Sequence, residues 1–280
     1  MFGYVVLHYQ NIKVTEKCIR SLKNQFKESY IVVVDNCSPN GSGKLLREKY
    51  VSDNQIKVIL HDKNEGFAKG NNIGFKYLQE NANIDYVVVM NNDIIIEDAN
   101  FEIVIEKFMS NNNIDVCGPD MVTLNNNHQN PLALEPYSSK YLKHRIKQDR
   151  IKCILLRNPI FWNIYKKYKK SNGIVPREKQ ETTYKCMLHG SCVIFGPEYV
   201  RKEKYAFLPI TYMYNEEAIL YDYLMYKGYN TAYCSDVTIL HMEGVSTSSS
   251  IQNEKKKILF RFENNVRSLE AQLNERIKYL

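Results

Sequence analysis

No stretch of this 280-residue sequence approaches the roughly 18 consecutive apolar residues of a membrane-spanning helix, so helical membrane spans are not expected. Paired C-x-x-C spacings are missing as well. The seven cysteines (Cys18, Cys37, Cys117, Cys153, Cys186, Cys192 and Cys234) are odd in number and scattered. That argues against a zinc site or a disulfide framework and for reduced thiols in a cytosolic compartment. In such a compartment the Asn-x-Ser sequons at Asn36 and Asn40 carry no glycan. Glycine and proline are few, 12 and 8, and no internal repeat is visible, which excludes collagen-like repetition. The opening residues, MFGYVVLHYQ, lack the basic start and small-residue cleavage site of a secretory signal. Their apolar run reads instead as a buried first strand.

What is present is an ordinary globular composition, 44% hydrophobic and 25% charged, sufficient for one sizeable core. The formal charge of +7 is concentrated in one place. Residues 140–170 hold eleven Lys or Arg against the single acid Asp149, a local +10; the remaining 27 basic and 30 acidic residues sum to −3. The same segment carries Tyr141, Phe161, Trp162, Tyr165 and Tyr168. Basic residues interleaved with aromatics suit an anionic surface: lipid headgroups, a lipid-linked phosphate or nucleic acid. A solvated helical excursion with snorkelling lysines is the plainer alternative. No nucleic-acid reading module is recognisable, so nucleic acid is not an expected partner.

Hydrophobic patterning predicts strands over 4–8, 30–34, 56–60 and 86–90, the first two read as short apolar runs. Helices are expected over 15–26, 44–50 and 68–79, and another that starts at Asp98 as N-cap and carries a Phe101, Val104, Ile105, Phe108, Met109 stripe. Doubly buried strands separated by helices imply parallel β-α-β units, an α/β fold. After Pro119 the pattern loosens into loops over 125–136 and 170–179 around the basic segment. Order returns with strands at 192–195 and 231–234 and a helix over 216–227. We expect one domain over 1–250, with a basic, aromatic insertion at 140–180. An amphipathic helical tail, 251–280, follows it.

Ligands of open parallel sheets bind at the carboxyl ends of strands. Asp35 closes YIVVVDN and Asp93 follows YVVVMNN, and either carboxylate could accept bonds from a ribose or base or hold a divalent cation. As single residues they are equally well read as turn aspartates. Between them, Asn64-Glu65-Gly66-Phe67-Ala68-Lys69-Gly70-Asn71-Asn72-Ile73-Gly74 places three glycines at a loop-to-helix junction, where close backbone approach and an anion are both possible. It is neither G-x-G-x-x-G nor a Walker A loop. Tyr214-Asn215-Glu216-Glu217 runs into a helix and offers a general base or plain dipole complements. His241-Met242-Glu243-Gly244 follows an apolar run.

The ordered series VVLHYQN, VVVDNCSPNGS, NEGFAKGNNIGF, VVVMNND, HGSCVIFGPEYV, MYNEEAILYDYL and HMEGVS resembles family 2 glycosyltransferases of the GT-A fold, over about residues 3–247. It looks most like bacterial enzymes that build capsular, O-antigen and related surface glycans, including rhamnosyl- and galactosyltransferases. The resemblance implies a Rossmann-like, mostly parallel sheet flanked by helices, with a C-terminal helical extension. It implies a nucleotide-sugar donor, UDP- or dTDP-linked, and a glycan or lipid-linked glycan acceptor. The enzyme would be cytoplasmic, or peripheral on the inner face of the plasma membrane.

By the same resemblance Tyr9 and Asn11 lie beside the nucleotide, Asp35 and Asn36 contact its base or ribose, and Gly66, Lys69, Gly70 and Asn71 line the donor. The family's D-x-D element falls on Asn91-Asn92-Asp93, with Asn92 at the donor and Asp93 holding Mg²⁺ or Mn²⁺, joined by His241. The catalytic carboxylate falls on Glu217, with Glu216 as its rival. Three departures stand out: one carboxylate where D-x-D has two, Glu in place of Asp as base, and Phe207-Leu208-Pro209 in place of Phe-Asp-Glu before it. A catalytically inactive nucleotide-sugar binder remains an alternative. A sugar-phosphate nucleotidyltransferase is a weaker one, because Tyr9-Gln10-Asn11 is unlike that class's Gly-rich, Arg-Lys-bearing first loop.

Overall fold

The computed structural model describes residues 1–26, 28–81, 83–171, 175–242 and 253–279. Glu243 and Gly244 of the late histidine motif, the 250/251 boundary and residues 172–174 lie outside them.

Strands β1 (Phe2–His8), β2 (Tyr30–Asp35), β3 (Ile56–Leu60) and β4 (Tyr86–Asn91) pair in parallel in the order β3-β2-β1-β4. Helices α1 (Ile12–Gln25), α2 (Ser42–Tyr50) and α3 (Phe67–Asn81) connect them. Val32, Val33 and Val34 of β2, and Val87, Val88 and Val89 of β4, are fully buried because helices cover both faces. Cys18, Ile19 and Leu22 of α1 pack on one face with Phe101, Ile105 and Met109 of α4 (Phe101–Asn112). Phe75 and Leu78 of α3 pack on the other, with Tyr199 of α7 (Pro197–Lys202) and Leu220 and Leu224 of α8 (Glu216–Lys227).

Beyond β4 the sheet becomes mixed. β8 (Cys192–Phe195) lies antiparallel between β4 and β6 (Val116–Thr123), and β9 (Thr231–His241) runs parallel to β6. The short strands β5 (Ile94–Ile95) and β7 (Thr183–Tyr184) pair antiparallel with β9. β9 therefore extends well past the expected 231–234 and carries His241 to the sheet edge. A register shift between Pro119 and Asp120 lets the two long strands stay paired. Asp120, buried there, binds His128, Tyr233 and Thr238. The α4 cap differs from expectation. The N-cap position is Asn100, and Asp98 instead accepts the Asn100 N–H in an Asx turn.

The basic segment forms two helices, α5 (Ser139–Arg157) and α6 (Pro159–Ser171). The last helix, α9 (Glu254–Ile277), runs antiparallel along α5, burying Leu142 and Ile146 against Val266 and Leu269, and Cys153 and Leu156 against Ile258 and Phe262. The far end of α9 grips α8. Arg276 donates twice to the Asp222 carboxylate at 2.6 Å, and Gln272 adds a third bond at 2.6 Å.

Candidate active site

The carboxyl ends of β1, β2 and β4 converge on a buried histidine that the sequence alone did not mark. His8 Nδ1 lies 2.6 Å from Thr15 Oγ1 of α1, and Nε2 lies 2.8 Å from Ser42 Oγ of α2. Thr15 Oγ1 also receives Asn92 Nδ2 at 2.8 Å, so one side-chain network joins β1, α1, α2 and the turn after β4. Burial lowers the His8 pKa to about 4, against the opposing pull of Asp35, so the ring is neutral near pH 7. It acts as a rigid hydrogen-bonding hub. Asn92 spends its amide here, and the neighbouring Asn91 gives its own to Ser191 Oγ at 2.9 Å.

Asp35 is buried beneath the start of α2, where a carboxylate complements the helix dipole. It accepts bonds from the Ser38 backbone and hydroxyl. A Cβ at Gly43 would fall 2.1 Å from Asp35 Oδ2. Gly43→Ala is therefore expected to displace Asp35 and destabilise the fold by about 1–3 kcal/mol, measured by urea unfolding. Next to it, Gln10 takes a positive φ of 62° and donates its backbone N–H to Ser38 Oγ, so the loop holding Tyr9 and Asn11 is tied to the loop after β2. Asn11 caps α1 through Val14 N.

Asn36 clips the glycine loop onto the same rim. Its amide donates to Asn64 Oδ1 and the Gly66 carbonyl, and its oxygen accepts the Glu65 N–H. Gly66 has φ +85°, and a Cβ there would strike the Tyr212 carbonyl at 1.8 Å. Gly70 and Gly74 face the sheet: added Cβ atoms would meet Leu7 at 2.7 Å and Val5 at 2.5 Å. Their spacing thus serves close helix–sheet packing. Asn71 is fully buried with its Oδ1 unpartnered, while Lys69 stands half exposed near Glu65.

On the other side of β4, backbone pairing locks Asp93 beside β9. Ile94 pairs with His241, and the Met242 N–H donates to the Asp93 carbonyl. Asp93 Oδ1 is buried, has no hydrogen-bond partner and lies 3.4 Å from His241 Nε2. His241 Nδ1 sits 2.6 Å from Gln129 Oε1, an amide oxygen that can only accept, so Nδ1 carries a proton and Nε2 is the ring nitrogen turned to Asp93. A buried carboxylate oxygen and a ring nitrogen facing each other at that distance share either a proton or a cation. The residues therefore fit a divalent ion: one hard oxygen and one imidazole nitrogen, close enough to be neighbours in one coordination shell. Among the described residues no group of three or more His, Cys, Asp or Glu could hold a metal by itself. The ring of His189, a residue left without a role in the sequence reading, meets His241 edge-on at 5.9 Å. Burial and His241 push its pKa down to about 4. Its place in the His189-Gly190-Ser191 run before β8 was the available signal.

That turn also reaches the acidic pair. A Cβ on Gly190 would lie 3.5 Å from Glu217 Oε2, so residues 189–191 border Asp93 and His241 on one side and Glu217 on the other. Glu216 points inward and accepts Thr211 Oγ1 at 3.0 Å. Burial, then repulsion from Glu217, raise its pKa to about 8. Glu217 lies among Leu188, Leu220 and Leu224, and burial raises its pKa too. The chain enters α8 through two left-handed residues, Tyr214 (φ 72°) and Asn215 (φ 68°). α9 holds them: Gln272 Oε1 accepts Asn215 Nδ2 at 2.8 Å and Ser268 donates to the Met213 carbonyl at 2.9 Å.

Because the folded-state pKa of Glu216 lies above its unfolded value, the folded chain keeps a proton the unfolded chain has lost. Stability therefore falls as pH rises from about 4.5 to 8 and is flat above. Glu216→Gln is expected to match the wild-type Tm at pH 4.5 and to exceed it by roughly 5 °C at pH 9, in thermal melts.

A family model for glycosyl transferase family 2 matches residues 4–171, more than half of the chain. The chain belongs to that family. This family 2 chain is 26% identical over 133 residues to the dTDP-rhamnosyl transferase RfbF of Shigella flexneri, covering 48% of this chain and 42% of RfbF. It is 31% identical over 124 residues to the bifunctional glycosyltransferase pgtA of Dictyostelium discoideum, covering 43% of this chain and 16% of pgtA. The match thus spans less than half the length of these curated relatives. Among solved structures, S. aureus TarS 1–349 superposes with TM-score 0.56 at 17% identity, over 94% of this chain and 71% of TarS. The mannosyltransferase PcManGT of Pyrobaculum calidifontis, solved with GDP-Man and Mn²⁺, gives TM-score 0.55 at 12% identity, over 98% and 73%. These likenesses show that the family 2 chain has the GT-A fold.

Proposed function

We propose that this chain is an inverting glycosyltransferase that moves a hexosyl group from a nucleotide-sugar donor to a hydroxyl of a growing surface glycan, including a lipid-linked one. The observation that carries the reading is the partnerless buried Asp93 Oδ1, 3.4 Å from His241 Nε2, at a strand end that shares the 189–191 turn with Glu217. The relatives' names support a nucleotide-linked sugar: dTDP for RfbF, UDP-GlcNAc in a TarS complex and GDP-Man in PcManGT. UDP or dTDP is the donor nucleotide we propose.

Asp35 accepts bonds from the base or ribose, held under α2 by Ser38 and the His8 hub. The Asn36-clipped loop, with Gly66, Gly70 and Asn71, backs the donor beside Tyr9 and Asn11, and Lys69 would leave its loose pairing with Glu65 to reach phosphate. Asp93 and His241 would hold Mg²⁺ or Mn²⁺; the mixed oxygen and nitrogen pair favours Mn²⁺. When bound, that ion stabilises the negative charge that grows on the departing diphosphate. Glu217 removes the proton of the acceptor hydroxyl, a poor nucleophile until deprotonated. The raised pKa of Glu217 suits this work near neutrality. Glu216 is bound to Thr211 and protonated at pH 7, so we assign it the supporting position. One displacement inverts the anomeric centre.

The test is nucleotide release from UDP-, dTDP- and GDP-sugars with a glycan acceptor, and product anomericity by NMR. Release from none of them, or retention of configuration, would overturn the assignment. A second reading, an inactive donor binder, is favoured by the commitment of Asn91 and Asn92 to Ser191 and Thr15, which leaves one carboxylate. Calorimetric donor binding with no turnover would select it.

A further inference from the structure

The outward side of the α5–α6 hairpin is unpaired in both charge and apolar surface. Inward, the hairpin is satisfied: Arg150 pairs with Glu270, Arg157 with Glu263, and Arg145 and Lys152 with the buried Asp149. Outward, Lys140, Lys147, Ile151 and Ile154 recur at intervals of seven, four and three. They share the face of α5 opposite Leu142, Ile146 and Cys153, which pack toward α9. On α6, Ile160, Ile164 and Lys167 share the face opposite Trp162 and Tyr165. Ile154 is 70% exposed, Ile160 68%, Ile164 58% and Phe161 44%. Along the chain the apolar groups lie nearer the turn at Asn158, and the lysines stand farther out on both helices. Lys140, Lys147 and Lys167 have no acidic partner among the described residues.

We propose that this hairpin tip docks on an anionic lipid bilayer, the isoleucines entering the headgroup boundary and the lysines meeting the phosphates. The charge arrangement selects that occupant. A second copy would bring two sets of uncompensated lysines together, and a nucleic acid would leave the isoleucines in water. Only a lipid interface takes an apolar tip with a basic collar. The docking is independent of the transfer reaction, because it is measured without donor or acceptor.

The experiment is co-sedimentation of the full chain with vesicles of neutral phosphatidylcholine, with or without about 30% phosphatidylglycerol. Binding to the anionic vesicles is expected, weakening as salt rises. The Ile154→Glu, Ile160→Glu, Ile164→Glu triple variant is expected to abolish it with an unchanged circular dichroism spectrum, since all three side chains are solvent-facing. The Lys140→Gln, Lys147→Gln, Lys167→Gln variant is expected to weaken binding about 100-fold on anionic vesicles. Absence of wild-type binding, or binding indifferent to both triple variants, would refute the docking. A concentration-dependent dimer lost in the isoleucine variant would assign the face to self-association instead, and an RNA shift lost in the lysine variant would assign it to nucleic acid.

Discussion

Glu217→Gln is expected to lower turnover by about 10³-fold while donor affinity stays within about twofold. The amide keeps the shape of the side chain at the 189–191 turn but cannot take a proton. Its removal should therefore appear in kcat and leave binding of a nucleotide donor, read by calorimetry, intact. Glu216→Gln provides the internal contrast. Its carboxyl is already protonated at neutral pH and bound to Thr211, so turnover should fall by less than about tenfold. If the two variants ranked the other way round, the proton acceptor would be Glu216. Raised basicity also sets the pH profile of the wild type. The raised Glu217 pKa moves the acidic limb of kcat/KM above the ordinary carboxylate range, and Glu217→Gln should remove that limb from whatever activity remains.

Asp93→Ala is the second large effect. It deletes the oxygen that faces His241 Nε2, so Mn²⁺-dependent donor affinity should fall by about 10²–10³-fold. Thermal melts supply a readout separate from turnover. Added Mn²⁺ with nucleotide diphosphate should raise the wild-type Tm and leave the variant unmoved. Without metal the variant should be no less stable than wild type, because the deleted Oδ1 is a buried acceptor with no bond to lose. A marked drop in its metal-free Tm would show instead that Asp93 is held as a structural carboxylate.

The parallel half of the sheet was legible because β1, β2 and β4 are valine-rich runs, and only a doubly covered strand is apolar along nearly its whole length, whereas the edge strand β3 carries an exposed Lys57. The strand-end aspartates could be placed by the same rule. The mixed half was harder to read. β8, an apolar run of four, was legible at its bounds, but β6 interrupts its apolar residues with Gly118, Pro119 and Asp120 and β9 mixes polar and apolar positions after Cys234, so neither of these two shows the unbroken apolar run of a central strand. The glycines of the 66–74 loop were legible as sites of close approach, but not what approaches: the Tyr212 carbonyl at Gly66, Leu7 at Gly70 and Val5 at Gly74. His8 and His189 escaped notice because their roles lie in partners distant along the chain, Ser42 and His241 among them. Nothing in a single window of sequence reports such a pairing. The basic segment was visible as charge, whereas its division into a face turned to α9 and a face turned outward required the helix positions.

α9 is a single unbroken helix of 24 residues, on the order of 36 Å long. Near one end it is bonded to the hairpin, and near the other it clamps α8 through Asp222 and the left-handed entry to Glu217. Whatever the hairpin tip rests on is consequently held at a set height from the acidic pair. If the tip docks as proposed, acceptors whose reactive hydroxyl stands at that height would be served in preference to shorter or longer ones.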